Sequence, residues 1–250
     1  MAFMASSSAA ALSSEQHAAS EALVADLRRI FGARLRSLVA YGLSDTSARD
    51  DDRLLRTLAL LEQYSFDDLR QCAPLTRSWR RRGLAVPLLL TYQEFMRTLD
   101  VFPLEYGNII ANHVVLAGEE PFGQAHVSPA DRRRGCEHQA KSHLVHLREG
   151  FLETGGDTRD VAALIAASAP SFRSLLLNLA QLDIDRPDAA LLHDHELAKI
   201  TEQAMGIPAE LVTEILTSPV ALGTVADPTA LLSRYIDANE RIWAFVDRLR

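Results

Sequence analysis

The sequence predicts an α+β fold: a small mixed sheet with flanking helices, followed by an all-helical C-terminal bundle. Three observations predict it. Short apolar runs of strand length fall in the first half of the chain. Beyond Pro129 the strand signals stop and apolar residues recur at helical spacing. A Gly/Pro-rich stretch, Gly118 to Pro129, lies between the two regimes. Segregation of this kind marks an α+β protein or two domains. The expected organisation is a disordered tail over residues 1–18, an α/β domain over 19–126 and a helical domain over 127–250.

The opening "MAFMASSSAAALSSEQ" is Ala- and Ser-rich, without the basic and apolar regions of a cleaved signal peptide. Leu23, Leu27, Ile30 and Phe31 then share one helical face, with Arg28 and Arg29 in the last turn and Gly32 as C-cap. "RLRSLVAYG" reads as a short buried strand. "LLRTLALLEQYS" is a second apolar run, and at Leu54 to Leu61 strand and helix compete. Ser65 with Asp68, and Thr91 with Glu94, have capping-box spacing and open short helices. A third strand is expected from Ala85 to Leu90, at an edge because of Pro87. "DVFPLEY" reads as a fourth strand or a helix start, and "NIIANHVVLAGEEPFG" as a helical turn running into an exit loop.

In the second half, helices are expected at about 129–154, from an N-cap at Thr158 onward with a kink or split at Pro170, and at 189–205, 208–216 and 228–249.

Composition narrows the function classes. The chain has 250 residues, 48% hydrophobic and 24% charged, and a formal net charge of -7. Nucleic acid is therefore not an expected partner, since phosphate neutralisation needs clustered cations. No apolar run in the sequence reads as a bilayer span, so no membrane partner is expected. Cys72 and Cys136 form no metal or redox spacing and fit a reducing cytoplasm.

The stretch "LVAYGLSDTSARDDDRLLRTLALLEQYS" carries the candidate chemistry. Helix, strand, glycine turn, acidic loop, strand, with a helical domain after it, resembles the polymerase-beta type of nucleotidyltransferase fold. "FPLEYGNIIANHVVLAGEEPF" also resembles a segment of bacterial proteins with a nucleotidyltransferase-like domain. The resemblance implies a Gly-Ser pair that binds the triphosphate, two carboxylates spaced i, i+2 on the next strand, and a third from a later strand. Together those carboxylates would hold magnesium. Carried onto this sequence, the triphosphate residues are Gly42 and Ser44, and the magnesium ligands Asp50, Asp52 and Glu105.

The sequence departs from that pattern. Leu43 follows Gly42 where serine belongs, and Arg56 and Thr57 stand where the strand should carry acids. The reading is a catalytically degenerate nucleotidyltransferase-like protein that binds a nucleotide or a protein partner. An active magnesium-dependent enzyme transferring a nucleoside monophosphate to a hydroxyl is one alternative. A purely structural helical interaction protein, with residues 54–61 helical, is another.

Other clusters carry candidate chemistry as well. His138, His143 and His146 share one helix, with His143 and His146 as i, i+3 neighbours, and His193 and His195 flank Asp194; neither pair has a third zinc ligand at a defined spacing. Arg133 with His138 has a spacing seen in some ribonuclease sites, against a basic first helical turn. "RSWRRRG" pairs Trp79 with four arginines, either a phosphate contact with a stacking indole or a helix-end surface. Oligomeric state is not legible in the sequence.

Overall fold

The computed structural model describes residues 12–42, 54–184, 192–218 and 226–249. The chain divides into two compact units, Met1–Val127 and Ser128–Arg250.

The first unit is built on a four-stranded sheet of order β3-β2-β1-β4. Strand β1, Leu35–Tyr41, pairs antiparallel with β2, Arg56–Leu61, and with β4, His113–Gly118. Strand β3, Leu88–Thr91, pairs parallel with β2. Both faces of the sheet are covered. Helix α1, Ser14–Phe31, helix α2, Phe66–Cys72, and helix α3, Thr76–Arg81, belong to one layer. There Leu23, Leu27 and Trp79 pack with Leu38, Ala40, Ala59 and Leu61. Helix α4, Tyr92–Arg97, and helix α5, Pro103–Ala111, cover the other face. There Phe95, Tyr106 and Ile109 pack with Val39, Leu58 and Leu60.

That two-sided cover explains the leucine run. A strand buried on both faces reads as a continuous apolar segment, so β2 is a strand. The purely helical alternative fails here, because it required residues 54–61 to be a helix. The edge position of β3 follows the Pro87 argument, with the strand starting just after the proline, at Leu88.

Both capping boxes form: the Ser65 hydroxyl accepts from the Asp68 amide, and the Thr91 hydroxyl from the Glu94 amide. Asp68 also takes two bonds from Arg34, at 2.7 and 2.9 Å, which tie α2 to the end of the α1 segment. These bonds, with those from Ser65, hold the Asp68 carboxyl well below the usual carboxylate range.

Several expectations are corrected. Helix α1 begins at Ser14, capped by Ser13, so residues 14–18 are helical and not tail. Of the two readings of "DVFPLEY" the strand is set aside and the helix start holds, since Pro103 at the first helical position presets the backbone. "HVVLAG" is strand β4, read above as an exit loop. The helix stops at Asn112, and the β-branched pair Val114–Val115 continues as a ladder beside β1. No split occurs at Pro170: one helix runs through it, from Thr158 to Ile184.

In the second unit, helix α6 spans Pro129–Glu153 and α7 spans Thr158–Ile184. The Asp157 carboxylate caps α7, accepting from the Arg159 and Asp160 amides at 2.9 and 3.1 Å, so Thr158 is the first helical residue and not the cap. Pro170 is exposed, and water can serve the carbonyl four residues earlier that loses its N–H partner. Helices α8, Asp194–Met205, α9, Ala209–Thr217, and α10, Pro228–Arg248, complete the bundle. By length and composition α7 is apolar enough to cross a membrane over Thr158–Leu182, contrary to the sequence expectation. It packs instead against α6, α8, α9 and α10.

Candidate functional site: the mouth of the sheet

Strand β1 runs toward Gly42, and β2 and β4 start at that same end. The terminal row of the sheet is Arg56–Tyr41–His113, each directly opposite the next. Cross-strand partners project to one face, so these three side chains share the face covered by α4 and α5. Gly42 follows with φ +69°, a backbone state that L side chains rarely adopt. A Cβ there would stand 3.8 Å from Arg56 Cδ and 3.9 Å from a terminal guanidinium nitrogen. The arginine side chain therefore lies along the glycine. Burial pushes the Tyr41 phenol up, and the Arg56 charge pulls it partly back.

His113 is held by both ring nitrogens. Nδ1 lies 3.1 Å from the Ile110 carbonyl and Nε2 2.9 Å from the Glu120 carboxylate. The Phe122 amide donates to the other Glu120 oxygen at 3.0 Å. Burial acts to raise Glu120, and these bonds outweigh it and keep the carboxyl low.

Thr57 faces the opposite layer and is 1% exposed, and its Oγ1 has no hydrogen-bond partner among the described residues. Beyond it, residues 58–61 are Leu, Ala, Leu and Leu, so β2 carries no carboxylate on either face.

The sequence candidates fare unequally. Gly42 is at the mouth, as the resemblance implies. Ser44, Asp50 and Asp52 lie outside the described residues. Glu105 was expected on a later strand; it sits in the first turn of α5, exposed. Strands β3 and β4 carry no acid. No group of three His, Cys, Asp or Glu residues among those described is placed to hold a metal ion. Magnesium demands near-octahedral oxygen ligation, and a guanidinium beside Gly42 opposes a dication there. The described residues do not fit magnesium.

The other clusters separate. His143 is buried and bonded through Nε2 to the Tyr235 hydroxyl at 2.7 Å, whereas His146 is exposed and faces Ser142. His193 and His195 stack on each other, and Asp194 is taken by Arg173 at 2.7 Å. Arg133 bonds Glu137 at 3.0 Å. His138, five residues on, lies about 140° around the helix, so the two do not converge. Trp79 is 1% exposed and donates to Asp26 at 3.0 Å, which removes it as a base-stacking surface. The four arginines around it are exposed.

Sequence reasoning missed His113 and Glu120. Their signal was present in the seven-residue spacing across an apolar run, which brackets β4 once that run is read as a strand.

No family model matches the chain, and no curated protein matches it. Among solved structures, the chain is similar to the crystal structure of spectinomycin adenyltransferase AAD(9) from Enterococcus faecialis with ATP and spectinomycin. The TM-score is 0.55 at 13% sequence identity, and the match covers 93% of this chain and 98% of that chain. At that identity the likeness is one of fold, and the fold is nucleotidyltransferase-like.

Proposed function

We propose that this chain is a nucleotide-binding protein on a nucleotidyltransferase-like scaffold, degenerate in the metal site. The observation that supports it most is the terminal row of the sheet. Where the resemblance implies magnesium-binding carboxylates, β2 presents Arg56 alongside Gly42 and a buried Thr57. ATP is the nucleotide to test first, because the structural neighbour was crystallised with it. The experiment is calorimetric titration with ATP and GTP, once with magnesium and once with EDTA. Binding of comparable strength in both buffers is expected. Binding that appears only with magnesium and is lost in Asp52→Asn would overturn the reading.

That second outcome is the active alternative: transfer of a nucleoside monophosphate to a hydroxyl acceptor. It is favoured by the extent of the likeness, which runs through the helical region as well as the sheet. Its acids would be Asp50 and Asp52, with Glu105 excluded from the strand role first given to it.

A further inference from the structure

Charge is unevenly spread along the sheet unit. From Leu69 to Gln93 the chain carries five arginines and no Asp or Glu, although acids outnumber Lys and Arg by 33 to 26 over the whole sequence. Arg70 pairs with Asp67 at 3.0 Å. The other four, Arg77, Arg80, Arg81 and Arg82, lie on α3 or just after it and are exposed. Arg77, Arg81 and Arg82 enter no ion pair among the described residues.

Packing fixes where this charge points. Trp79 is turned into the core, 1% exposed, and its indole N–H donates to Asp26 of α1 at 3.0 Å. At about 100° per residue, Arg77 and Arg81 lie about 160° to either side of Trp79 and about 40° from each other. Both therefore project away from the core, and Arg82 follows them in the turn. Asp26, the acid beneath the segment, is already taken by Trp79 and, at 3.5 Å, by Arg29. Helix structure accounts for only part of the charge. Arg80 and Arg81 lie in the last turn of α3, where cations oppose the dipole. Arg77 lies in the first turn, and like charges four residues apart destabilise a helix.

We propose that Arg77, Arg81 and Arg82 form a contact strip for the phosphate backbone of a nucleic-acid duplex, bound without regard to base sequence. Composition alone argues against nucleic acid, but the net charge of -7 is an average that conceals this cluster. Arg77 to Arg81 spans about 6 Å of helix axis, and a duplex presents one charge per about 1.7 Å of its own axis. The strip thus faces phosphates in any register, and the guanidinium fork matches their oxygens. Protein partners are held chiefly by aromatic and apolar anchors, and single strands by exposed aromatic platforms. Trp79, the one aromatic side chain of α3, is buried and offers neither. The strip is separate from the nucleotide-binding reading, because α3 belongs to the layer opposite the face shared by Arg56, Tyr41 and His113.

The test is fluorescence anisotropy of the full chain with a labelled DNA duplex of mixed sequence over a series of salt concentrations. Three neutralised phosphates give a slope of about -2.7 for log K against log salt. Arg77→Gln/Arg81→Gln/Arg82→Gln is expected to remove most of that slope and to weaken binding at low salt by at least about tenfold. Arg77→Lys/Arg81→Lys/Arg82→Lys keeps the charge and should keep the slope, which separates lost charge from lost fold. A duplex of unrelated sequence should bind equally well. No binding at the lowest salt, or a wild-type slope in the glutamine variant, overturns the strip. Tighter binding of the single strand than of the duplex overturns the choice of duplex. Tighter binding of poly-glutamate of matched length assigns the strip to an acidic protein segment and overturns nucleic acid as its occupant.

Discussion

The two units bury different things. The sheet unit has an almost wholly apolar interior. Among the described residues its buried polar side chains are Ser20, Ser37, Thr57 and Asp68. The helical unit buries His143, Arg173, Asn178, Gln181, Thr201, Ser218 and Asn239. Several of these link helices that are far apart in sequence. His143 of α6 meets Tyr235 of α10, Asn178 of α7 meets Gln139 of α6, and Arg132 of α6 meets Gln181 of α7. The contrast has a physical cause. A sheet satisfies its backbone in the ladder and aligns its strands through it, so side chains are left to fill space. Packed helices have no interhelical backbone bonds, and polar links can fix which residues face each other. The sheet unit should therefore be most sensitive to lost volume and the helical unit to lost polar balance.

The largest effect tests volume. Trp79 is the largest fully buried side chain and packs in the cluster with Leu23, Leu38 and Ala59. Trp79→Ala is expected to cost about 4 kcal/mol, from lost burial plus the cavity left behind. Urea unfolding followed by circular dichroism reads it. A loss below about 1 kcal/mol would mean that the layer collapses around the gap, and the contrast between the units would fail on the sheet side.

The next effect tests polar balance through pH. Burial, with a smaller contribution from His146, pushes His143 down to about 4 from 6.5. Between those values the unfolded chain binds the proton and the folded chain does not. Stability then rises with pH, and acidification from pH 7 to 4 removes about 3 kcal/mol from the helical unit. Trp243, with Lys141 Nζ 3.8 Å from its ring centroid, reports on this unit by fluorescence in a Trp79→Phe background. His143→Gln, which keeps a donor for the Tyr235 hydroxyl and does not titrate, should flatten the profile over that window. An unchanged slope in the variant would assign the acid sensitivity elsewhere.

Asp68 supplies the counterpart in the sheet unit. Its folded value lies below the ordinary 3.8, held there by Arg34 and Ser65. Its contribution is complete above that value and is lost as pH falls further. The two units should thus lose acid stability in separate windows, the helical one first.

These two units also differed in how they could be read. The starts of α6, α9 and α10 and the helix faces were legible because Pro129, Pro208 and Pro228 and the 3.6-residue apolar period are local signals. In the sheet unit, β1 and β2 were legible from their apolar runs. Strand β4 was not, because "GNIIANHVVLAG" has no Gly or Pro between the end of α5 and the start of the strand. Only pairing with β1 separates the two halves. The site suffered the same way. Gly42 and Arg56 could be flagged from spacing, while the row joining Arg56, Tyr41 and His113 depends on register between strands distant in sequence.

The smallest effect has the opposite sign and bears on the mouth of the sheet. Thr57 Oγ1 is buried without a partner among the described residues, whereas the side chains of Ser20, Ser37 and Asp68, buried in the same unit, are hydrogen-bonded. Valine has nearly the same shape and no hydroxyl to desolvate. Thr57→Val should stabilise the protein by about 1 kcal/mol, measured by the shift in urea midpoint at constant slope. Such a gain would mean that the fold carries this hydroxyl at a cost, one residue from Arg56, where strain of this kind tends to mark function. Nucleotide affinity measured on the same variant then completes the comparison. A stabilised protein with weaker binding places Thr57 with the mouth of the sheet. A destabilised one shows that the hydroxyl is satisfied after all, and that the sheet unit tolerates no more orphaned polar groups than an ordinary core.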